Sequence, residues 1–279
     1  MLSKCDGLHG VRVALLESRM ADEMASLVRR HGGIPRVAAA LHEARLSRTV
    51  EIEALLERLD RTSRPIVIFL SGVGATALFE EADRQHALSS LVNALANALL
   101  VCRGPKPATV LKRHGLSASI AVAEPYTSTE LLAALRTVDC RERDAVLVHY
   151  GERNETIAGA LRDLAANVHE ICLYEWRLPA DLEPLRRLIG EIVGGQIDAI
   201  VFTSQIQGRH LVQVARDMKL DAELGQALNR RCVVAAVGPT CCDALAALGI
   251  QPRVVPRTPK MAPLVRALAE HFSSSRTTP

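Results

Sequence analysis

Aromatic residues are scarce in this 279-residue chain, where one Trp, three Tyr and four Phe make up 3% of the sequence. So few rings cannot build the stacking platforms that hold single-stranded nucleic acid, and the cores must be filled by Ala, Leu, Val and Ile. Blocks of like charge are missing too. The net charge of +3 comes from interspersed Arg and Asp/Glu, a pattern that argues against nucleic-acid partners and suits a small anionic ligand. The longest apolar run, about Leu91 to Cys102, is too short and interrupted to cross a bilayer, and residues 1–12 lack the apolar core of an export signal. A soluble, cytoplasmic protein with no membrane partner is the expectation.

Further absences narrow the chemistry. Cys5, Cys102, Cys140, Cys172 and Cys232 are isolated and no C-x-x-C occurs, so neither a zinc site nor a redox pair is expected. The adjacent Cys241 and Cys242 read as the start of a helix, and the thiols as reduced and mostly buried. No H-x-x-x-H or acidic ladder offers a metal site, and no G-x-x-x-x-G-K-[ST] is present. Ser71-Gly72-Val73-Gly74, with Ala77 at the third glycine's position, is a fragment of a dinucleotide fingerprint. It lacks the acidic residue about 20 positions on that a ribose requires. Of nine scattered histidines only His149, ending a strand beside Tyr150, falls where a ligand could sit.

An apolar fraction of 48% and a charged fraction of 23% are those of a globular protein, and the length suits two domains. The strongest positive signal is a repeat. Ile66-Val67-Ile68-Phe69-Leu70-Ser71-Gly72 is echoed by Ala199-Ile200-Val201-Phe202-Thr203-Ser204-Gln205, and Leu99-Leu100-Val101-Cys102-Arg103-Gly104-Pro105 by Val233-Val234-Ala235-Ala236-Val237-Gly238-Pro239. A third unit beginning at Val11 matches one beginning at Ala145. Three units in register predict two copies of one fold. Each reads as strand, tight loop and helix. The apolar runs lack period-two alternation, so the strands are expected to be buried on both faces of a parallel, doubly wound, flavodoxin-like sheet. A helix is predicted over Ala21 to Arg30, ending at Gly32-Gly33, and another over Glu130 to Arg136 behind the capping signal Thr127-Ser128-Thr129.

Ligands of open α/β sheets sit beyond the carboxyl ends of the strands, where loops enter helix N-termini. Those loops hold Glu17-Ser18-Arg19, Ser71 to Gly74, Arg103 to Lys106, Tyr150 to Asn154, Ser204 to Gly208 and Gly238 to Thr240. Their small and hydroxyl-bearing residues leave backbone N–H groups for anions. Arg19, Arg103, Lys106, Arg153, Arg209 and Lys260 fall in or near them, a set of cations that would concentrate a polycarboxylate.

Gly238-Pro239-Thr240, a helix from Ala244 to Leu248, Gly249-Ile250 and a strand ending Val254-Val255-Pro256 resemble the C-terminal signature of the uroporphyrinogen-III synthases. Leu16-Glu17-Ser18-Arg19 with Gly32-Gly33-Ile34-Pro35, Phe202-Thr203-Ser204, Tyr150-Gly151-Glu152 and Leu173-Tyr174-Glu175-Trp176 add to that resemblance, which spans about Val11 to Leu268. It implies two flavodoxin-like domains joined by two extended linkers. Domain one is residues 1–36 plus 177–279, the inserted domain two residues 44–168, and the linkers residues 37–43 and 169–176. It implies a monomeric, cofactor-free lyase that cyclises hydroxymethylbilane, a linear tetrapyrrole with eight carboxylates, to uroporphyrinogen III with inversion of ring D. Tyr174 inherits the catalytic role of hydroxyl-side donor. Arg19, Ser71, Gly72, Gly74, Arg103, Lys106, Tyr150, Gly151, Ser204, Gln205, Gln207, Thr240 and Lys260 are the implied substrate-binding residues, with no metal. Where many relatives continue Gly-Pro-Thr with Thr, this chain has Cys241. The alternative is a non-catalytic, tetrapyrrole-sensing module of the same fold.

Overall fold

The computed structural model describes residues 7–46, 49–141, 143–149, 151–165 and 167–276. In chain order its elements are β1 (Arg12–Leu15), α1 (Ala21–Arg30), β2 (Ile34–Val37), β3 (His42–Arg45), α2 (Thr49–Arg61), β4 (Ile66–Phe69), α3 (Gly72–Arg84), α4 (Leu88–Ala96), β5 (Leu99–Cys102), α5 (Pro105–Arg113), β6 (Ile120–Ala121) and α6 (Ser128–Leu135). They continue with β7 (Asp144–Val148), α7 (Glu155–Leu164), β8 (Asn167–Ile171), β9 (Tyr174–Arg177), α8 (Glu183–Val193), β10 (Ala199–Phe202), α9 (Gln205–Asp217), α10 (Asp221–Arg230), β11 (Val233–Ala236), α11 (Pro239–Ala247) and α12 (Met261–Arg276). The chain divides into two compact units, Met1–His42 with Arg177–Pro279, and Glu43–Trp176.

The first unit holds a four-stranded sheet in the order β11-β10-β1-β2, the second a five-stranded sheet in the order β6-β5-β4-β7-β8. Every registered pair in both is parallel. Successive side chains of a strand point to opposite faces, and here both faces are dry. In the first unit Ala14, Ile200, Phe202 and Val234 pack among α8, α9, α10 and α11, whereas Val13, Leu15, Val201 and Val233 pack under α1 and α12. In the second, Val67, Phe69, Leu100 and Val146 face α2, α3, α4 and α5, and Ile66, Ile68, Val101 and Leu147 face α6 and α7. The unbroken apolar runs have this cause, and each fully buried Val, Leu, Ile or Phe among them contributes roughly 1.5–3 kcal/mol.

Local chemistry sets the helix boundaries. Helix α1 ends with Gly33 N–H donating to the Val28 carbonyl (3.0 Å) while Gly32 takes a φ of +84°, a conformation open to glycine. Thr127 and Glu130 close a capping box on α6. Pro105 and Pro239 occupy the first positions of α5 and α11, where the missing N–H is harmless. Cys241 and Cys242 lie in the first turn of α11, as expected. Cys102, Cys140, Cys232 and Cys241 are buried and every described cysteine is a free thiol; Cys5 lies outside the described residues. Burial pushes the Cys102, Cys232 and Cys241 thiols up to about 12, which makes them poor nucleophiles.

The linkers are shorter than the sequence implied. His169, Glu170 and Ile171 belong to β8 and pair with Val146, Leu147 and Val148. On the other side Val37 ends β2 against Leu15, Ala38 and Ala40 are buried in the core beneath α9, and the ring nitrogen Nδ1 of His210 lies 2.7 Å from the Ala40 carbonyl. Edge strands with polar or proline-containing sequences mimic connecting chain, although their backbone is spoken for. The chain passes between units at β3 and β9, which pair with each other.

Phe202 is fully buried on β10. Phe202→Ala should lower unfolding free energy by about 3–5 kcal/mol in urea titrations; a loss under about 1 kcal/mol would contradict the core placement.

Candidate functional site

The carboxyl end of β4 runs into Ser71, which caps α3: its Oγ accepts from Gly74 N–H (3.0 Å) and lies 3.1 Å from the Tyr174 hydroxyl. Tyr174, on β9, is 1% exposed. Burial pushes its phenol well above the usual tyrosine range, against a smaller opposing effect of the Ser71 bond, so the group is a neutral O–H at all ordinary pH. Its ring meets Trp176 edge-on at 5.4 Å. Gly72 is where α3 meets α5, since a Cβ there would stand 3.0 Å from the Lys106 Cβ. The N-termini of α3 and α5 are therefore neighbours, and Lys106 in the first turn of α5 is exposed.

Gly151 and Gly74 have packing duties that sequence alone did not disclose. A Cβ on Gly151 would overlap the Trp176 indole, and the Gly151 carbonyl accepts the Trp176 backbone N–H (3.2 Å). The Trp176 ring covers Gly151, which gives this glycine a packing duty. A Cβ on Gly74 would approach the His149 carbonyl to 2.5 Å, so only glycine lets α3 approach β7 that closely. Tyr150 lies outside the described residues.

His149 is 1% exposed, and it braces the β7–α7 loop. Asn154 N–H donates to its Nδ1 (3.2 Å), which leaves the proton on Nε2 to be donated to Glu170 (2.9 Å). Burial lowers its tendency to protonate, despite the carboxylate beside it. Glu170 also accepts two bonds from Arg153 (both 2.7 Å) and one from Arg162 (2.8 Å). These donors, Arg153 first, pull its carboxyl down to about 2. Arg153, a candidate ligand cation by its loop position, is thus engaged in ion pairs with Glu170 and Glu155.

In the first unit, the carboxyl ends of β1 and β10 are tied together by side chains. Thr203 Oγ1 donates to Glu17 Oε1, and Gln207 Nε2 donates to the same oxygen (3.1 Å). Gln207 Oε1 accepts from Thr203 N–H (2.8 Å) and Ser204 N–H (3.3 Å). Gln207 is 1% exposed, and its side chain braces the two loops. Ser204 caps α9, and Gln205 opens that helix, both half-buried. Thr240 is exposed at the start of α11 and Lys260 is exposed just before α12; a Cβ on Gly238 would lie 3.1 Å from Pro259, which brings that segment to the head of α11. Arg19 is exposed and Arg103 half-buried. The sequence selects Arg19 from the β1 loop, whereas the hydrogen-bond network engages Glu17. No signal in the sequence separates Glu17 from a solvated charge.

Among the described residues no group of His, Cys, Asp and Glu could hold a metal ion, and no helix is long and apolar enough to cross a membrane. A cavity of about 1100 Å³ in the second unit, lined by Asp60, Arg64, Asn93, Asn97 and Ser119, opens at the amino ends of β4 and β5, away from Ser71.

Residues 22–266 match the sequence model of a family described as Uroporphyrinogen-III synthase HemD. The uncharacterized protein YjjA of Bacillus subtilis (strain 168) is 27% identical over 266 residues, covering 95% of this chain and 97% of that protein. A crystal structure of a mutant uroporphyrinogen III synthase from the extremely thermophilic bacterium Thermus thermophilus superposes with a TM-score of 0.76 at 26% identity, covering 95% of this chain and 100% of the other. The uroporphyrinogen-III synthetase of Helicobacter pylori 26695, 13% identical with a TM-score of 0.54 over 93% of this chain and 99% of its own, shares the fold.

Glu170 gives the site region a pH signature. Its folded carboxyl sits below its unfolded value of 4.5, at about 2, so its stabilisation is complete above 4.5 and lost as pH falls towards 2. At 1.36 kcal/mol per pH unit that is at most about 3 kcal/mol, and exposed Arg153 and Arg162 reduce it through screening. Glu170→Gln should be less stable than the parent at pH 7 in denaturant titrations, with a narrower gap at pH 3; an equal gap at both would contradict the ion-pair account.

Proposed function

The chain belongs to the uroporphyrinogen-III synthase family, and on that premise we propose that it converts hydroxymethylbilane to uroporphyrinogen III. The observation that carries the proposal is the hydroxyl pair of Tyr174 and Ser71, 3.1 Å apart at the head of α3. Closing the ring requires the terminal hydroxyl to leave as water, and a neutral O–H donor beside it lowers that barrier. A serine hydroxyl has one proton and two lone pairs. Either hydroxyl could donate to the other; in the proposed arrangement the Tyr174 O–H donates to Ser71, which already accepts from Gly74 N–H, so the serine proton is directed outward and Tyr174 acts through Ser71. The family's chemistry needs no metal or organic cofactor, and the pyrrole nitrogens supply most of the push.

Substrate carboxylates are assigned to the amide groups heading α3 and α5, to Lys106 and Arg103, and, in the first unit, to Ser204, Gln205, Thr240, Lys260 and Arg19. The two units are taken as copies of one flavodoxin-like fold, supported by their common order: β11-β10-β1-β2 runs as β5-β4-β7-β8 does. A cytoplasmic monomer completes the proposal.

The second possibility, a tetrapyrrole-binding module without catalysis, is favoured by the burial of Tyr174 at 1% exposure and by Cys241 in place of a hydroxyl residue. Incubation with hydroxymethylbilane and separation of the type I and type III isomers decides between them: type III excess supports the synthase, and binding of uroporphyrin without turnover supports the module. Tyr174→Phe should slow type III formation on the order of 10²-fold while uroporphyrin affinity changes by no more than a few-fold; full activity would remove Tyr174 from the chemistry. Uroporphyrin affinity should fall as salt rises, because exposed charge pairs are screened within about 8 Å at physiological ionic strength; affinity indifferent to salt would point to apolar recognition.

A further inference from the structure

His169 carries a ring nitrogen that the fold encloses and leaves unmatched. On β8 it pairs with Val146, and its neighbour Val168 packs into the core beside α6 and α7. The His169 side chain therefore turns to the opposite face, which Ile52, Leu55 and Leu59 of α2 cover. Its Nε2 is buried with no hydrogen-bond partner among the described residues, and so is Nε of Arg58 on α2. Arg58 is the cation that acts on the ring. The carboxylates around the pair are occupied or turned away. Asp144 of β7 accepts from Thr62 (3.1 Å), Asn167 (2.8 Å) and Arg58 (3.3 Å), and Glu170, next along β8, takes His149, Arg153 and Arg162. Glu51 stands about two turns before Arg58 on the same face of α2.

A neutral imidazole carries one N–H and one bare nitrogen, so it can be enclosed with Nε2 unprotonated. The charged ring puts an N–H at both positions, and a buried charge without an acceptor costs far more than a bare lone pair. We propose that His169 is a proton-sensitive latch of the second unit, holding α2 against β8 while its ring is neutral and releasing that helix when the ring is protonated beside Arg58. The latch stands apart from the synthase assignment. Of the three carboxylates only Glu170 favours the charged ring, and burial, followed by Arg58, outweighs it. The folded ring thus titrates below its unfolded value of 6.5, so the stabilisation is complete above 6.5 and is lost as pH falls below it. Ile52 and Leu55 of α2 share one core with Tyr174, and release of the helix loosens the packing that fixes the Tyr174 ring.

The test follows the His169 ring of the full chain by NMR between pH 8 and pH 5, and compares wild type with His169→Gln in urea unfolding and in amide exchange scaled for the intrinsic rate. The ring should titrate below 6.5. Relative to His169→Gln, the wild-type unfolding constant should rise about tenfold per pH unit below 6.5 until the ring itself titrates. His149, also buried, is present in both proteins, so the difference belongs to His169. At pH 5 the amides of residues 49–61 and 167–171 should lose protection ahead of β4 and β5 in wild type and not in His169→Gln. A ring that titrates at 6.5 or above overturns the proposal, as does a variant that loses as much stability as wild type. Uniform loss of protection across the second unit overturns it too, since that marks general acid unfolding without a latch. Should His169→Gln fail to fold at pH 8, the wild-type ring titration and the order of exchange decide by the same criteria.

Discussion

A parallel strand such as β4 gives no face to water: Ile66 and Ile68 fill one core, Val67 and Phe69 the other. Once both faces of a sheet are sealed by helices, polar chemistry has only the strand ends to occupy, and the amide groups at helix heads are gathered at the carboxyl ends. The polar side chains of the candidate site stand where that confinement leaves room. Ser71, Gly104, Ser204 and Gly238 all stand two residues past a strand and cap the next helix.

Close approach at those ends sets the residue types. Two helix heads meet at Gly72 and Lys106, and α3 meets β7 at Gly74. The same crowding puts Trp176 over Gly151 and, through its edge-on contact, holds Tyr174. The Tyr174 hydroxyl is then fixed to within one hydrogen bond of Ser71. Packing of glycine against indole is in this way linked to the placement of a single O–H, several residues away along the chain.

The strands and the helix-start loops were legible in the sequence because they rest on composition and spacing: apolar runs of four or five residues, then Ser or Gly, then a helical period. What depended on partners was not. Strand β8, Asn167–Ile171, is polar enough to pass for linker, and only its ladder with β7 makes it a strand. Gln207 and Gly151 carry the types expected of ligand contacts but face inward, the first satisfied by Glu17, Thr203 and Ser204, the second covered by Trp176. The β1 loop shows the converse. A search for cations to match an anionic ligand selects Arg19 by sign and passes over Glu17, whose side chain the fold immobilises. Tyr174 was legible as a residue type in a motif, not as a phenol with 1% exposure.

The arginines show how the chain divides its charges. Arg12 grips Asp198 through Nε and Nη2 (2.9 and 2.8 Å), Arg58 lies 3.3 Å from Asp144, Arg153 and Arg162 converge on Glu170, and Arg45 pairs with Glu80. Planar, forked guanidinium groups are suited to such two-point contacts, and here they join strand ends and helices more than they await a ligand. An arginine already paired at a strand end cannot turn to a ligand without stranding its carboxylate partner, so recruiting Arg153 would expose the cost at Glu170, whose carboxyl Arg153 and Arg162 hold well below the usual range.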